Sequence, residues 1–294
     1  MKNSIFRFLI FFLILSWIAF SLSSYRAQDQ GYIFAETGNF ESVPKQNLIL
    51  GYMIFIKQLF WDWGGTTISG ELVVPFLAER LIPTLALSTF ALLFAILFGI
   101  FGAVLLASYQ SNFSILIFRR FAELILATPI FIIGVMLLLV FFYQLEWLPP
   151  GGFSSPLHLI LPGITLGSRI AARLFLFTSK EIEKERNSEY VFVLESRGMS
   201  EKFIFWRAIL PKLQPLLSVM VLLELAGLLS GAMVVEELFF YPGIGKALYY
   251  SIRSMDLNLL AVSICYSGCV FYFLMEMGRY WNNRILGEGI EAHN

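Results

Sequence analysis

Charged side chains inside long apolar stretches are the residues of this sequence with the greatest potential for chemistry. Arg169 and Arg173 fall in one such stretch, and Glu224 falls deep within another. A charge in a bilayer is unfavourable unless it is paired or hydrated, so such residues often serve function. We therefore expect Glu224 and Arg169 or Arg173 either to line a pathway and bind substrate termini, or to form a structural ion pair.

Other arrangements that would support catalysis or ligand chemistry are missing from the sequence. Cys265 and Cys269 lie one helical turn apart inside an apolar run, which is typical of small core residues rather than of a disulfide or metal site. The run from Gly243 to Lys246 faintly resembles a phosphate-binding loop, but the upstream glycine is absent and Ala247 replaces Ser or Thr. We predict no catalytic residue, no metal site and no cofactor in this chain.

The composition predicts that a bilayer, rather than water, surrounds most of the chain. Hydrophobic residues make up 57% of the 294 positions, and charged residues make up 14%. Soluble domains usually carry about a quarter charged residues. The 21 basic and 21 acidic residues balance, which argues against broad nucleic-acid binding.

Six apolar stretches are long enough, or nearly so, to span a hydrocarbon core, which needs about 20 residues in a helix. They are residues 4–22, 84–107, 121–143, 157–178, 213–234 and 257–278. The sequence therefore predicts an all-α, polytopic membrane bundle of about six transmembrane helices. The first stretch follows Lys2 and Arg7 and precedes the small residues Ser21 and Ser23, so a cleaved signal peptide is an alternative to an anchor. Five further spans favour the anchor, because an even number puts both ends on one side.

The placement of Lys and Arg predicts the orientation. Most of the basic residues fall on the cytoplasmic side if the N-terminus is cytoplasmic. Residues 23–83 then form an outer loop, in which a short interfacial helix at 75–82 would end before Pro83. Residues 144–156 form an outer turn, and residues 179–212 form the longest cytoplasmic segment.

Two glycine pairs indicate close helix packing. Gly163 and Gly167 are four residues apart in the fourth span, as Gly227 and Gly231 are in the fifth. Small residues at this spacing let helix backbones approach one another in membranes. They indicate a packed bundle, and they leave the function open.

The cytoplasmic segment from Glu189 to Pro211 predicts two short helices. Gly198 would break them, because glycine readily takes the left-handed conformation that ends a helix. Ser200 is a suitable N-cap for the second helix. Pro211 would end that helix or kink it on the way into the fifth span.

A surface suited to docking follows from the first of these helices. Tyr190, Val193 and Leu194 would share one face, flanked by Glu189 and Arg197. That face would bind another protein, or the helix pair would simply lie on lipid headgroups. The local pattern leaves both alternatives open.

The same segment resembles the coupling loop of ABC importer permeases, particularly those of the dipeptide, oligopeptide and nickel family. That loop typically reads D-Y-V-R-T-A-R-A-K-G-L-S and later ends in a leucine or isoleucine followed by a proline. The matching residues are Glu189, Tyr190, Val191, Arg197, Gly198, Met199, Ser200, Leu210 and Pro211. The departures fall between Phe192 and Glu195, where the chain is more apolar and lacks two positive charges.

A second motif is more specific. The run G-A-M-V-V-E-E-L-F-F-Y-P-G-I-G-K-A-L, residues 231–248, is similar to the family's G-x-x-V-x-E-x-x-F-x-x-P-G-x-G-x-x-L. The resemblance implies an outer, re-entrant element near a gate, formed by Glu236, Phe239, Pro242, Gly243 and Gly245. Its tight Pro-Gly-x-Gly turn needs protein or water partners for its backbone groups.

Further similarity extends over residues 58–285. Trp61 to Gly64 and Glu79 to Leu87 resemble the family's sequence before its second helix, and Arg173 matches an arginine of its fourth helix. The expected organisation is an anchor at 1–22, the outer loop at 23–83, a permease core at 84–285 that contains the 179–212 loop, and a cytoplasmic tail at 286–294.

The resemblance implies a type I ABC importer permease in the bacterial inner membrane, with both termini cytoplasmic. Its partners would be a second permease subunit, two cytoplasmic ATPase subunits that bind ATP and magnesium, an outer substrate-binding protein, and membrane lipid. The substrate would be a peptide, either a dipeptide or an oligopeptide, with a nickel chelate or another small solute as the alternative. A standalone channel or secondary transporter is the alternative, although it would not need a docking loop.

Overall fold

A computed structural model describes residues 2–36, 48–108 and 112–291, which form helices joined by short turns. Within these ranges there is no strand, and Thr66 and Leu72 form one isolated antiparallel bridge. The twelve α-helices of these ranges are α1 Lys2–Glu36, α2 Leu48–Trp61, α3 Val73–Ala95, α4 Gly102–Ser108, α5 Asn112–Ala127, α6 Ile130–Leu137, α7 Ile160–Arg186, α8 Glu189–Ser196, α9 Glu201–Ile204, α10 Leu210–Leu238, α11 Ile244–Arg253 and α12 Leu257–Glu291. Wider π-helical turns at Ile96–Phe101, Leu138–Gln144 and Phe205–Ile209 and a 3₁₀ turn at Pro156–Leu159 extend four of them.

Five helical segments are long and apolar enough to cross a membrane. They are Phe6–Tyr25, Val73–Ser108, Pro156–Arg186, Glu201–Leu225 and Leu257–Tyr280. A sixth apolar region, Phe113–Ala127 with Ile130–Gln144, is bent by 106°. The prediction of an all-helical membrane protein with about six spans is confirmed.

The third expected span, 121–143, is not one straight helix. Helix α5 ends at Ala127, and Pro129 stands immediately before α6 with an extended ψ of 140°. Proline has no N–H for the helix ladder and disfavours helical geometry at the residue before it, here Thr128. A hydropathy pattern does not reveal this break, because the residues on both sides of it are apolar.

The prediction that a helix ends just before Pro83 is wrong. Helix α3 begins at Val73 and continues through Pro83 to Ala95, so residues 75–82 are part of a longer helix rather than a separate one. Together with the π-helical turn and α4 it reaches Ser108. A proline inside a membrane helix is tolerated where neighbouring groups partner the freed backbone atoms.

The chain divides into two compact units. One contains Met1–Thr84 and Pro242–Phe273, and the other contains Leu85–Tyr241 and Leu274–Asn294. In the second unit, α7 lies at the centre and has buried residues along its whole length. It packs against α3, α5, α6 and α10.

Close packing of α7 explains one of the two glycine pairs. A side chain at Gly163 would collide with the Phe90 ring, and one at Gly167 would lie 2.8 Å from the Ala91 carbonyl oxygen. The predicted close approach is therefore confirmed there. At Gly227 an added side chain would meet no atom within 4 Å, so the predicted close helix approach is not seen at that glycine.

Helix α2 is an apolar element that the sequence prediction had included in the outer loop. Helix α2 contacts the part of α1 that is long and apolar enough to span a membrane, rather than the C-terminal end of α1. The Tyr52 hydroxyl lies 2.7 Å from the Ser16 hydroxyl, and the Phe60 ring lies 5.8 Å from that of Phe12. At 14 residues, α2 is about 21 Å long, which is too short to span the core.

We predict that α2 lies at hydrocarbon depth without crossing the bilayer. Met53 is exposed on α2, and Ser69 is exposed in the following turn. A cysteine introduced as Met53→Cys should resist a membrane-impermeant maleimide in native membranes, whereas Ser69→Cys should react. Labelling of both positions at equal rates would place α2 in water and contradict the prediction.

Candidate functional site

The segment from Glu189 to Pro211 has the two-helix arrangement that its sequence predicts. Helix α8 ends at Ser196, and Gly198 follows with a φ of +80°, in the left-handed region. The Ser200 hydroxyl caps α9 by accepting a hydrogen bond from the Phe203 N–H. Both local predictions are confirmed. We call residues 189–211 the coupling segment.

Pro211 does not end the second helix. The wide turn at Phe205–Ile209 joins α9 to α10, which starts at Leu210 and runs without a break to Leu238. The proline ring would clash with the carbonyl of Arg207 in a regular helix, and the wider turn contains that residue. The coupling segment is therefore continuous with a long membrane helix.

The coupling segment is held against the membrane helices by a buried apolar face. Val191 of α8 is buried, as are Ile204 and Phe205 around α9. They belong to one cluster whose other buried members are Val104, Ala107, Ile182, Ile209, Leu213 and Leu217. This cluster therefore joins the coupling segment to α4, α7 and α10.

Polar contacts reinforce this attachment. Lys212 Nζ lies 2.6 Å from Glu185 Oε2 and 4.3 Å above the Tyr190 ring, which joins α10 to α7 and α8. Arg186 donates a hydrogen bond of 2.6 Å to the Ala107 carbonyl. Burial and the nearby Glu185 carboxylate raise the pKa of Tyr190 to about 12, so its hydroxyl stays neutral.

The residues of the expected docking face differ in their exposure. Tyr190 and Leu194 pack against the buried cluster, whereas Val193 and Arg197 are exposed. The most exposed apolar side chain of the segment is Phe192, at 70%. The exposed apolar residues, which we call the coupling surface, are Phe192, Val193, Met199, Phe203 and Trp206. In a helix of eight residues, the pattern of apolar residues covers only about two turns, which is too short to indicate which face is buried.

Two of the three charged residues predicted for a pathway lie together. Arg173 Nε donates to Glu224 Oε1 at 2.8 Å, and its Nη2 donates to Oε2 at 2.5 Å. This bidentate pair joins α7 to α10. The Glu224 side chain is 7% exposed and that of Arg173 is 42% exposed.

Arg169 is separate from that pair. Its guanidinium lies 3.4 Å from the Thr128 carbonyl oxygen and 3.5 Å from that of Leu126. These carbonyls stand at the end of α5, where Pro129 and the bend deprive them of helical N–H partners. Arg169 therefore lies at the bend between α5 and α6 and not beside Glu224.

The first part of the expected gate motif, around Glu236 and Phe239, forms the C-terminal end of α10. Glu236 and Phe239 are fully buried, and the Tyr241 N–H donates to the Glu236 carbonyl at 2.7 Å. The Gly152 N–H donates to the Phe239 carbonyl at 3.0 Å, so the 149–152 turn packs directly on the motif. A side chain at Gly151 would overlap the Phe239 backbone.

The second part of the motif starts α11. Gly243 precedes that helix in an extended conformation, and Gly245 is buried in its first turn. The Ile244 N–H donates to the Thr84 hydroxyl at 2.8 Å. The backbone of the Pro242–Gly245 turn thus has the protein partner that its sequence required.

An apolar groove was missed by the sequence analysis. It has a volume of about 770 Å³ and lies between the α3 extension, α10 and α12. Its polar lining side chains are Gln214 and Ser218, and its floor includes Leu210 and Pro211 of the coupling segment. Arg169, Arg173 and Glu224 do not line it. The three elements are distant in sequence, so no local pattern indicates the groove.

The described parts of the chain contain no candidate metal site. Within residues 2–36, 48–108 and 112–291, no three His, Cys, Asp or Glu side chains group to hold an ion. Cys265 is buried beside Cys269 on the same helix, and both are free thiols.

Comparison with known proteins agrees with this membrane architecture. Residues 95–277 match the family model described as binding-protein-dependent transport system inner membrane component. The chain is 29% identical over 203 residues to the glutathione transport system permease protein GsiC of Escherichia coli and to that of Shigella dysenteriae, covering 69% of this chain and 66% of each relative. Another Escherichia coli GsiC is 28% identical over 214 residues, which is 70% of each chain.

The family match covers more than half of the chain, and it includes α4 to α10 with the whole coupling segment. Members of this family are permease components, which are not themselves catalytic and bind no cofactor. This multi-pass inner-membrane protein belongs to the family of binding-protein-dependent transport system inner membrane components.

Proposed function

We propose that this chain is a permease subunit of an ATP-driven importer of peptides. Its membrane helices would form part of the translocation path, and its coupling segment would dock on an ATPase subunit. The observation that carries this proposal is the two-sided coupling segment. Five of its apolar residues are exposed, and others are buried against α4, α7 and α10.

The exposed apolar residues of the coupling segment favour association with a partner. Apolar area removed from water contributes roughly 25 cal/mol per Å², so an exposed Phe192 and Trp206 favour association with a partner. A docking segment also has to transmit force. The Lys212–Glu185 ion pair and the buried cluster fix it to three membrane helices, so docking at one end would move the bundle.

The proposed assembly contains a second permease subunit, two cytoplasmic ATPase subunits and an outer substrate-binding protein. ATP and magnesium would bind to the ATPases, and this chain would perform no covalent chemistry. The coupling segment would lie in the cytoplasm, with both termini on the same side. ATP-driven closure of the ATPases would then switch the bundle between inward-facing and outward-facing states.

The apolar groove is our candidate for this chain's part of the path. Its lining contains no charged side chain, and Leu210 and Pro211 connect it directly to the coupling segment. We assign the Arg173–Glu224 pair a bracing role between α7 and α10, because each charge is satisfied by the other. A solute that passes along the groove would meet no charged side chain that could bind it.

The substrate class rests on the relatives, whose names state that they transport glutathione. We propose small peptides as substrates of this system. A nickel chelate or another small solute is the alternative within the family, because much of the selection would fall to the binding protein.

Reconstitution tests the proposal. The permease would be co-expressed with the transport proteins encoded beside it and placed in proteoliposomes with the binding protein outside. We expect uptake of labelled di- and tripeptides that requires ATP and magnesium inside. Uptake that proceeds equally well without ATP would indicate a channel or secondary transporter and overturn the proposal.

A further inference from the structure

A basic pocket lies at the C-terminal end of α7, outside the coupling segment and the groove. It has a volume of about 480 Å³ and is formed by α7 and α5. Its lining residues are Arg119, Leu176, Lys180, Glu183, Lys184 and Asn187. Three cations thus face one carboxylate, which leaves the pocket with an excess of two positive charges.

The positive charges are incompletely neutralised by the protein. Arg119 uses Nη2 to bind Glu183 Oε2 at 2.9 Å, which leaves other guanidinium N–H groups available. Lys184 lies 3.5 Å from Glu181, at the long end of ion pairing. Lys180 is exposed and makes no ion pair within the described parts of the chain.

Of the neighbouring charges, Glu181 offsets one of the two excess positive charges through its pair with Lys184, and the others do not remove the remaining one. Arg120, on the exposed side of α5, is paired with Glu123 at 3.1 Å and adds no net charge. Arg186, which lines an adjacent cleft with Arg119 and Glu183, donates to the Ala107 carbonyl. An anion that entered the pocket would therefore find ammonium donors on one wall and a guanidinium on the other.

The pocket stands where an apolar helix surface becomes polar. Leu176, Lys180 and Lys184 are four residues apart and form one stripe along α7, apolar first and then basic. Lysines at the end of a membrane helix reach toward the headgroup layer. Phospholipid phosphates lie in that layer, and basic pockets between membrane helices bind anionic headgroups.

Apolar side chains continue from the pocket between α5 and α7. Helix α5 runs antiparallel to α7, since Arg119 meets Glu183 whereas Leu126 lies near Arg169. Leu126 of α5 and Leu176 of α7 are both half-buried and pack against one cluster that includes Ala122 and Phe175. The apolar surface of Leu176 and Leu126 is the place for acyl chains on the membrane side of the basic residues.

From this juxtaposition we infer that the Arg119, Lys180 and Lys184 pocket is a binding site for an anionic phospholipid. The phosphate lies between the two lysines and Arg119, and the acyl chains lie along Leu176 and Leu126. A free phosphate would satisfy the cations but would leave the apolar surface without a partner. The inference requires only that α7 spans the membrane, and it does not depend on what is transported.

The test measures binding to the full-length chain in detergent. Short-chain phosphatidylglycerol, short-chain phosphatidylcholine and inorganic phosphate are titrated separately, and the rise in thermal midpoint gives each affinity. We expect phosphatidylglycerol to bind at least tenfold more tightly than either other probe. Equal affinity for phosphatidylcholine, or for phosphate, would overturn the inference of an anionic phospholipid site.

Matched variants locate the site. Because each basic residue contributes about 1 kcal/mol near a lipid surface, the double change Lys180→Gln and Lys184→Gln should weaken phosphatidylglycerol binding about 30-fold. Both side chains are exposed, and the charge-preserving pair Lys180→Arg and Lys184→Arg should retain binding within about threefold.

A control removes the same charge elsewhere. Lys202 and Arg253 are exposed and lie outside the pocket. The double change Lys202→Gln and Arg253→Gln should leave the affinity within about twofold. An equal loss in this control would indicate diffuse attraction by the whole chain and would overturn the assignment to the pocket.

Discussion

The change Phe192→Asp should reduce ATP-dependent uptake by at least tenfold without unfolding the permease. Phe192 is 70% exposed on α8, so its replacement removes little packing within the chain. In the docked complex the same position would be covered by the ATPase. Losing a buried phenyl ring costs about 1.5–3 kcal/mol, and burying a carboxylate adds to that penalty. The measurement is uptake into proteoliposomes, with the thermal midpoint of the purified chain measured in parallel.

A conservative variant separates docking from folding. Phe192→Leu keeps an apolar side chain at the same place and should retain most of the uptake. Lower uptake with an intact thermal midpoint is the signature expected of Phe192→Asp. If Phe192→Asp transported as well as the unmodified protein, the coupling surface would have no part in docking.

The change Glu224→Ala should produce the largest loss of stability. It leaves the Arg173 guanidinium inside a membrane span without its bidentate partner. A central unpaired arginine costs about 3 kcal/mol on insertion scales. We expect the thermal midpoint of the purified permease to fall by about 6–12 °C.

Removing both charges distinguishes a brace from a substrate contact. The double change Arg173→Met with Glu224→Met leaves no unpaired charge and should recover most of the lost stability. If the pair only braces α7 against α10, uptake should recover as well. Recovered stability with abolished uptake would instead show that the charges bind substrate termini. The milder Glu224→Gln should lower stability while leaving uptake largely intact.

Local structure was predicted well where a few adjacent residues determine it. Gly198 and Ser200 set the break and the cap of the coupling segment by their own conformational and hydrogen-bonding preferences. The existence of the spans followed from the length of the apolar runs. In each case the determining physics acts within one or two helical turns.

Prolines were the main source of error in the helix boundaries. Pro129 produces a bend of 106°, whereas Pro83 and Pro211 lie inside continuous helices. All three lack the same N–H group, so the residue type alone does not decide the result. The outcome depends on the structure around each proline. Before Pro211, a wider turn at Phe205–Ile209 keeps the helix continuous. At Pro129 the helix ends instead, and Arg169 contacts the carbonyl of Leu126.

Tertiary pairing could not be derived from spacing along the chain. The sequence left Arg169 and Arg173 as equal partners for Glu224, and only the packing of α7 on α10 selects Arg173. Likewise, Tyr190 and Leu194 were expected on an exposed face but pack against residues of α4, α7 and α10. The groove and the basic pocket also form between helices that are far apart in sequence.

The central claim is that the coupling segment contacts a nucleotide-hydrolysing neighbour. A photo-crosslinking amino acid placed at Phe192 or Arg197 in native membranes tests it most directly. Tyr143, exposed in the π-helical turn that follows α6, is the matched control. We predict that positions 192 and 197 capture an ATPase subunit and that position 143 does not. Capture of lipid alone at 192 and 197, in membranes with active ATP-dependent uptake, would contradict the account.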